Sequence, residues 1–484
     1  MRMDSKEKSL KEKVFTGLIW TFGERIASQG VSFILSIILA RLLLPEEYGI
    51  VAMVMVFISI AEVFTTGGFG EALIQKRKTD EVDFSTMFYC TFFISILIYV
   101  FLFCMAPFIA NFYSQVQIIK ILRILGIKIV ISSISTIQRA YVSKYMIFKR
   151  LFFSTLGGTI ISGFAGIVMA LRGWGVWALV VQYLTNEIVN IVILFITVPW
   201  KPKYLFSIES AKELLKFGWK MVMANFINTI YNELRSLIIG KRYSSTDLAF
   251  YNKGNQIPSL AITNIDTAIG NVMFPAMTKA SNRQQLKTIG RRAMKTTSYI
   301  IFPLMIGLIV IAKPLITIIL TKKWVDSAIY MQILCVYWMT QPMQTTNWQM
   351  IKALGRSDIC LKLEILKKAI GIILIVISMN YGVKMIAVSA AVFGIISMII
   401  NIVPNKKLVG YSFVEQMKDV FPSLILAILM GMTMGIVEIF LKQIWGLLIV
   451  QIIIGSFVYI MLSIIFKIEA MDYLLQVIKK FAKR

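Results

Sequence analysis

The sequence predicts an all-α polytopic membrane protein: about fourteen transmembrane helices, as two pseudo-symmetric six-helix lobes plus two C-terminal helices. Three observations predict it. Of the 484 residues, 57% are hydrophobic, and the mean hydropathy is +0.75, whereas soluble domains sit near ~45–50% apolar. Apolar runs of about 20 residues recur from end to end, the length that crosses ~30 Å of hydrocarbon at ~1.5 Å rise per residue. Lysine and arginine are dense in alternate loops and sparse in the others. Transmembrane strands would be shorter and would alternate polar with apolar residues.

The elements follow in order. MRMDSKEKSLKEK lacks a small-residue cleavage site and reads as a retained cytoplasmic tail ahead of span 1, residues 14–40. The turn ARLLLPEEYG leads to span 2 (47–74), which ends inside at Lys76, Arg77 and Lys78. Span 3 (83–111) returns outward, and span 4 (117–142) comes back to Lys144, Lys149 and Arg150. Span 5 (150–171) reaches Arg172 outside, and span 6 (174–199) closes at Lys201 and Lys203. SAKELLKF, with Ser210 and Glu213 as a capping box, predicts a short interfacial helix before span 7 (214–240). Span 8 (247–276) ends at a basic inner segment that includes Lys279, Arg283, Lys287 and Arg291. Spans 9 (294–320) and 10 (325–353) flank Lys322 and Lys323, and spans 11 (358–379) and 12 (382–403) flank Lys384. Spans 13 (419–440) and 14 (443–466) flank Lys442. The tail MDYLLQVIKKFAKR puts Met471, Leu474, Leu475, Ile478 and Phe481 on one face, with Lys479, Lys480 and Lys483 off it. That is an amphipathic helix suited to the inner leaflet.

The net charge of +26 would suit nucleic acid, but its loop-by-loop alternation accounts for it without nucleic acid and puts both termini inside. The absence of histidine removes the commonest general base, the catalytic triads and most zinc sites. Cys90, Cys104, Cys335 and Cys360 lie in or beside apolar spans, where cysteine behaves as a small hydrophobe. No GxxxxGK[ST] loop occurs, and the outer loops are too short for a catalytic ectodomain. The expectation is a protein that is not an enzyme and that holds neither metal nor cofactor.

An internal repeat appears at an offset of roughly 200–210 residues. ARLLLPEEYG parallels GKRYSSTDLAFYN, APFIANFYS parallels AKPLITIILT, and GWGVWALVVQ parallels NYGVKMIAVS. Both halves close near an asparagine, Asn190 and Asn401. The expected domains are an N-terminal lobe over 1–200, a C-terminal lobe over 201–410, and two further spans with the tail over 411–484. Six spans per half gives a parallel repeat, the plan of transporters whose substrate site lies between lobes near mid-membrane.

ARLLLPEEYGIVAMV and FTTGGFGEALIQKR resemble the Wzx-type, or O-antigen-type, polysaccharide flippases of the multidrug/oligosaccharidyl-lipid/polysaccharide exporter superfamily. The turn R-x-L-x-P-x-x-Y/F-G is the specific part, and the resemblance extends along the whole chain as fourteen spans in two lobes and two trailing helices. It implies flipping of undecaprenyl-pyrophosphate-linked oligosaccharide repeat units for capsule, O-antigen lipopolysaccharide, teichuronic acid or exopolysaccharide. It implies rocking lobes driven by a H+ or Na+ gradient in the bacterial cytoplasmic membrane. Polysaccharide polymerase and glycosyltransferases would be partners beside the membrane lipids. The alternative is a cation-coupled drug or metabolite exporter of the same fold.

Charged side chains inside spans mark candidate sites, because an ionised group at the bilayer centre costs at least ~2.5–3.5 kcal/mol. Glu24 and Arg25 sit side by side in span 1. The related lipid II flippase of cell-wall synthesis has an adjacent basic–acidic pair in its first span, in the opposite order. It also has a cavity arginine five residues before a proline, matched here by Lys253 before Pro258. Arg25 and Lys253 are therefore expected at a pyrophosphate headgroup, the arginine as a planar fork and the lysine as a point charge. Arg139 and Lys352 are expected near the inner mouth, where they would attract an anion. Asn225, Asn228 and Asn232, spaced by three and four, form a stripe apt for sugar hydroxyls. Glu24, Glu62, Glu187, Glu233 and Asp266 are the candidate ion-coupling carboxylates. The alternative for each charge is a structural pair: Arg25 with Glu62 or Glu187, Lys253 with Asp266, or a carboxylate with Arg235 or Lys220.

Overall fold

The computed structural model describes residues 2–482, and within them the side chains other than those of residues 2–19, 22, 268–269, 271–272, 477–478 and 480–482. The side chains of the N-terminal tail, and those of Ile478, Lys480, Phe481 and Lys483, therefore lie outside the described residues. Among the described residues there are eighteen α-helices and no strand. Every predicted span is helical, and the chain divides into two compact units, Met1–Ala249 and Phe250–Arg484.

In the first unit, α1 (Arg2–Leu42) gives way to α2 (Pro45–Thr66) at the ARLLLPEEYG turn. Pro45 opens α2, where its missing N–H is no loss, and the Glu47 carboxylate accepts the Leu44 N–H at 2.7 Å. Gly49 belongs there because a Cβ would stand 1.8 Å from the Ser245 carbonyl oxygen. α2 breaks at Gly67–Gly68 and resumes as α3 (Phe69–Gln75), so the predicted second span is two helices. α4 (Glu81–Tyr113) starts on the Asp80 cap, whose side chain accepts the Asp83 N–H at 2.8 Å. The predicted fourth span is likewise broken, at Gly126, into α5 (Ile118–Leu125) and α6 (Ile127–Tyr145).

α7 (Lys149–Leu171) and α8 (Val176–Thr197) complete the first six spans. α9 (Ile208–Arg242) packs on α2, α3 and α4 and so belongs to the first unit. The separate interfacial helix expected around Ser210–Phe217 is instead the opening of α9, which runs without interruption. Ser207 caps it, whereas Ser210 donates to the Asp83 carboxylate and Glu213 pairs with Lys76 at 2.9 Å. Lys76 also reaches Asp83 at 2.9 Å, so one ammonium ties α3, α4 and α9 together at the basic end of the bundle. Phe69, Leu73, Phe84, Trp200, Leu214 and Val222 form the buried cluster beside it.

α10 (Ser245–Thr278) begins in the first unit and runs mostly in the second, where it is followed by α11 (Arg283–Leu320), α12 (Ser327–Met339) and α13 (Gln341–Ala353). The tenth predicted span is therefore also broken, at Thr340. α14 (Ser357–Ser378) and α15 (Val383–Leu408) precede the added pair, α16 (Phe413–Phe440) and α17 (Ile444–Ile465), and the tail helix α18 (Glu469–Ala482). Arg291 of α11 grips Asp419 of α16 through two hydrogen bonds, 2.6 and 2.7 Å.

Some local features recur between residues 1–200 and 201–410. The fourth span of each is interrupted, at Gly126 and at Thr340. The helix closing each begins at a glycine of positive φ, Gly175 at 55° and Gly382 at 96°. Such values suit a residue without Cβ. Asn190 and Asn401 are both buried. Nine helical stretches among the described residues are long and apolar enough to cross a membrane. The predicted spans outside that group are α5–α6, α9, α10, α12–α13 and α14, the interrupted or polar ones.

Candidate functional site

The site in the first unit begins with the side-chain spacing of α6. Lys128, Ser132, Ser135, Arg139 and Ser143 follow one another at three or four residues and so share one helical face. That face lines a cavity of about 390 Å³, closed by Glu62 and Thr66 of α2, Glu71 of α3 and Glu187 of α8. The break at Gly67–Gly68 opens the wall there. Asn225 of α9 donates to the Gly67 carbonyl at 2.6 Å, satisfying an acceptor that the interrupted helix leaves over.

At the head of the cavity, Lys128 Nζ donates to Glu62 Oε1 at 2.6 Å and stands 3.8 Å from Glu187 Oε1. The three side chains are only 11%, 19% and 16% exposed. The midpoints of the predicted spans 47–74, 117–142 and 174–199 fall near residues 60, 130 and 186. Three separate helices thus bring charges from the middle of their predicted spans to one place. Two carboxylates facing one ammonium leave a formal negative charge, and the looser contact to Glu187 is Coulombic and not a hydrogen bond. Arg139 lies eleven residues further along α6, roughly 16 Å by helical rise. The cavity therefore carries acids and bases together, with its second cation toward the basic end.

The other predicted residues are spread over both units. Glu24 and Arg25 are half-buried on α1, and the carboxylates offered as partners for Arg25 are held by Lys128 instead. Asn225 is occupied by Gly67, while Asn228 and Asn232 are exposed on α9. Glu233 is half-buried near the Tyr113 hydroxyl. In the second unit, Lys253 is buried on α10, donates to Gln256 Oε1 at 3.2 Å and lies 5.8 Å from the centre of the Trp324 ring. Asp266 is thirteen residues along the same helix, about 20 Å by helical rise, too far to be its partner. It meets the Thr345 side chain. Lys352 is exposed, 5.1 Å from the Phe274 ring centre in cation–π geometry. The structure thus gathers Glu62, Glu187 and Arg139 into one cavity and leaves the other candidates at separate places.

In the sequence Lys128 stands with Arg123 and Arg139 as positive charge in span 4, and nothing there gives it a role of its own. What signal there is lies in the polar stripe it heads in an otherwise apolar span.

Comparison with known proteins adds the lineage. The polysaccharide biosynthesis protein family matches residues 38–329. The teichuronic acid biosynthesis protein TuaB of Bacillus subtilis (strain 168) is 23% identical over 445 residues, covering 89% of each chain. The lipopolysaccharide biosynthesis protein WzxC of Escherichia coli (strain K12) is 21% identical over 373 residues, covering 76% of each. Among solved structures, the lipid II flippase MurJ in an inward closed conformation superposes with a TM-score of 0.76 at 18% identity. That match covers 93% of this chain and 98% of the other.

Proposed function

The chain belongs to the polysaccharide biosynthesis protein family, and from that premise we propose that it flips undecaprenyl-pyrophosphate-linked oligosaccharide repeat units across the bacterial cytoplasmic membrane. The repeat units feed assembly of a surface polysaccharide such as capsule, O-antigen, teichuronic acid or exopolysaccharide. Glycosyltransferases that build the unit and a polymerase that joins it act on either side of this step. Both termini are cytoplasmic. The observation that carries the proposal is the charged cavity of α2, α3, α6 and α8 in a multi-pass membrane protein. Such a cavity is costly in hydrocarbon and is maintained where a hydrated polar cargo or an ion must pass.

Two roles divide the charges. Glu62, Lys128 and Glu187 form the coupling centre. Their uncompensated negative charge is neutralised by H+ or Na+, and taking up or releasing that cation changes the hold of α6 on α2 and α8. Arg139, Arg25, Lys253 and Lys352 supply positive charge for the pyrophosphate, whose oxygens accept hydrogen bonds from guanidinium and ammonium groups. Asn228 and Asn232 offer donors and acceptors to sugar hydroxyls. Family membership favours this cargo over the cationic drug of the alternative exporter.

Deletion of the gene tests the proposal. It is expected to abolish the surface polysaccharide while the lipid-linked unit accumulates facing the cytoplasm. Unchanged surface polysaccharide in the deletion strain refutes it.

A further inference from the structure

The inner end of the second unit holds a second cavity, of about 450 Å³, between α16, the end of α17 and the start of α18. Its size falls within the ~300–1,000 Å³ of ligand sites. One wall is apolar. Phe421, Ile425 and Leu429 repeat every four residues along α16, and Phe466 faces them from the end of α17. All four side chains are exposed, Phe421 at 55% and Phe466 at 60%.

The rim is basic, with Lys295, Lys418 and Lys467. Its carboxylates are already engaged: Asp419 by Arg291, by Lys295 at 3.3 Å and by the Tyr411 hydroxyl at 2.8 Å, and Glu469 by Lys295. Among the described residues, Lys418 and Lys467 have no carboxylate within ion-pair distance. Lys467 occupies the turn between α17 and α18 at φ 47°, a left-handed conformation unusual for lysine.

Two ammonium groups at the rim of an apolar trough match a two-part ligand: an anion with a hydrocarbon chain. A free phosphate has no use for the trough, and a neutral lipid has none for the lysines. We propose that this niche binds one anionic glycerophospholipid of the inner leaflet. Its phosphate sits on Lys418 and Lys467, an acyl chain runs along Phe421, Ile425 and Leu429, and the bound lipid holds α18 against α16 and α17. This site is separate from the cavity of the first unit and takes a membrane lipid and not the cargo.

Native mass spectrometry of the full-length protein, titrated with phosphatidylglycerol or with phosphatidylcholine, tests the proposal. Wild type is expected to retain one phosphatidylglycerol in preference to phosphatidylcholine. Lys418→Gln/Lys467→Gln is expected to bind phosphatidylglycerol about 25-fold more weakly, as about fivefold per lysine at an anionic surface implies. Ile425→Trp, which fills the trough and leaves both lysines, is expected to weaken binding as well, with melting temperatures verifying that both variants are folded. Equal retention of the two lipids by wild type, or undiminished binding by the double-lysine variant, overturns the proposal. Preferential displacement of phosphatidylglycerol by undecaprenyl phosphate also overturns it, by making the niche a cargo site. Because the readout is lipid retention, a failure here is distinct from a failure of the flipping reaction.

Discussion

Lys128 faces carboxylates from two other helices of the first unit. Removing one member of a buried pair strands the other, at a cost of about 3–5 kcal/mol. Lys128→Met is therefore expected to lower stability by about 3 kcal/mol and to abolish transport. Lys128→Met/Glu62→Gln, which removes that pair but leaves Glu187 without its cation, is expected to recover part of the stability and none of the transport, as read by detergent melting beside export complementation. Full complementation by the double variant would remove the coupling role. Glu187→Gln is expected to be milder in stability, because its 3.8 Å contact lacks the hydrogen bond that Glu62 makes. Arg25→Ala and Lys253→Ala are expected to reduce export with the protein still in the membrane, and wild-type export by both would refute their headgroup role. The sequence marks Glu62 and Glu187 as expensive in hydrocarbon, yet it does not reveal their partner. Arg25 and Lys128 are both cations of the right charge, and only the three-dimensional meeting of α2, α6 and α8 separates them.

Among the elements, breaks matter as much as helices. Hydropathy locates the nine long apolar spans, because about 20 apolar residues are hard to mistake, and the more polar spans follow from the alternation of basic loops. It does not show the interruptions at Gly67–Gly68, Gly126 and Thr340, because one glycine or threonine leaves the hydropathy of a window almost unchanged. Gly68 sits against α9 so closely that a Cβ would lie 2.5 Å from the Gly218 carbonyl oxygen. Gly68→Ala is therefore expected to destabilise the first unit by about 1–3 kcal/mol, measured by thermal melting against wild type. A melting temperature equal to wild type would refute that close packing. The Lys76 tie between α3, α4 and α9 has a pH signature. Burial works to lower the Lys76 pKa, but hydrogen bonds to Glu213 and Asp83 prevail and raise it above the ordinary 10.5. A raised ammonium pKa stabilises the fold fully below the unfolded value and loses that contribution as pH climbs through the folded one. Solvent screening limits the effect to no more than about 1 kcal/mol. A stability difference between wild type and Lys76→Met is thus expected to be constant from neutral pH to about 10, then to vanish above 10.5. A difference that disappears near neutrality would contradict this account of the tie.

At the scale of the whole molecule, one of the sequence parallels has a local structural counterpart. The pairing of GWGV with NYGV in the sequence returns as two positive-φ glycines that open equivalent helices. The proposed cargo is legible only through kinship, because a pyrophosphate would need little more than positive charge and many arrangements provide it. The activity proposed for this chain is movement of a lipid-linked oligosaccharide from one leaflet to the other. Its most direct test is a leaflet-accessibility assay on vesicles that contain the purified protein, undecaprenyl-pyrophosphate-linked repeat units and an imposed H+ or Na+ gradient. The predicted result is that repeat units shielded in one leaflet become accessible in the other under the gradient, with Lys128→Met vesicles remaining at the protein-free rate. Transfer no faster than in protein-free vesicles, under either gradient, would contradict the claim.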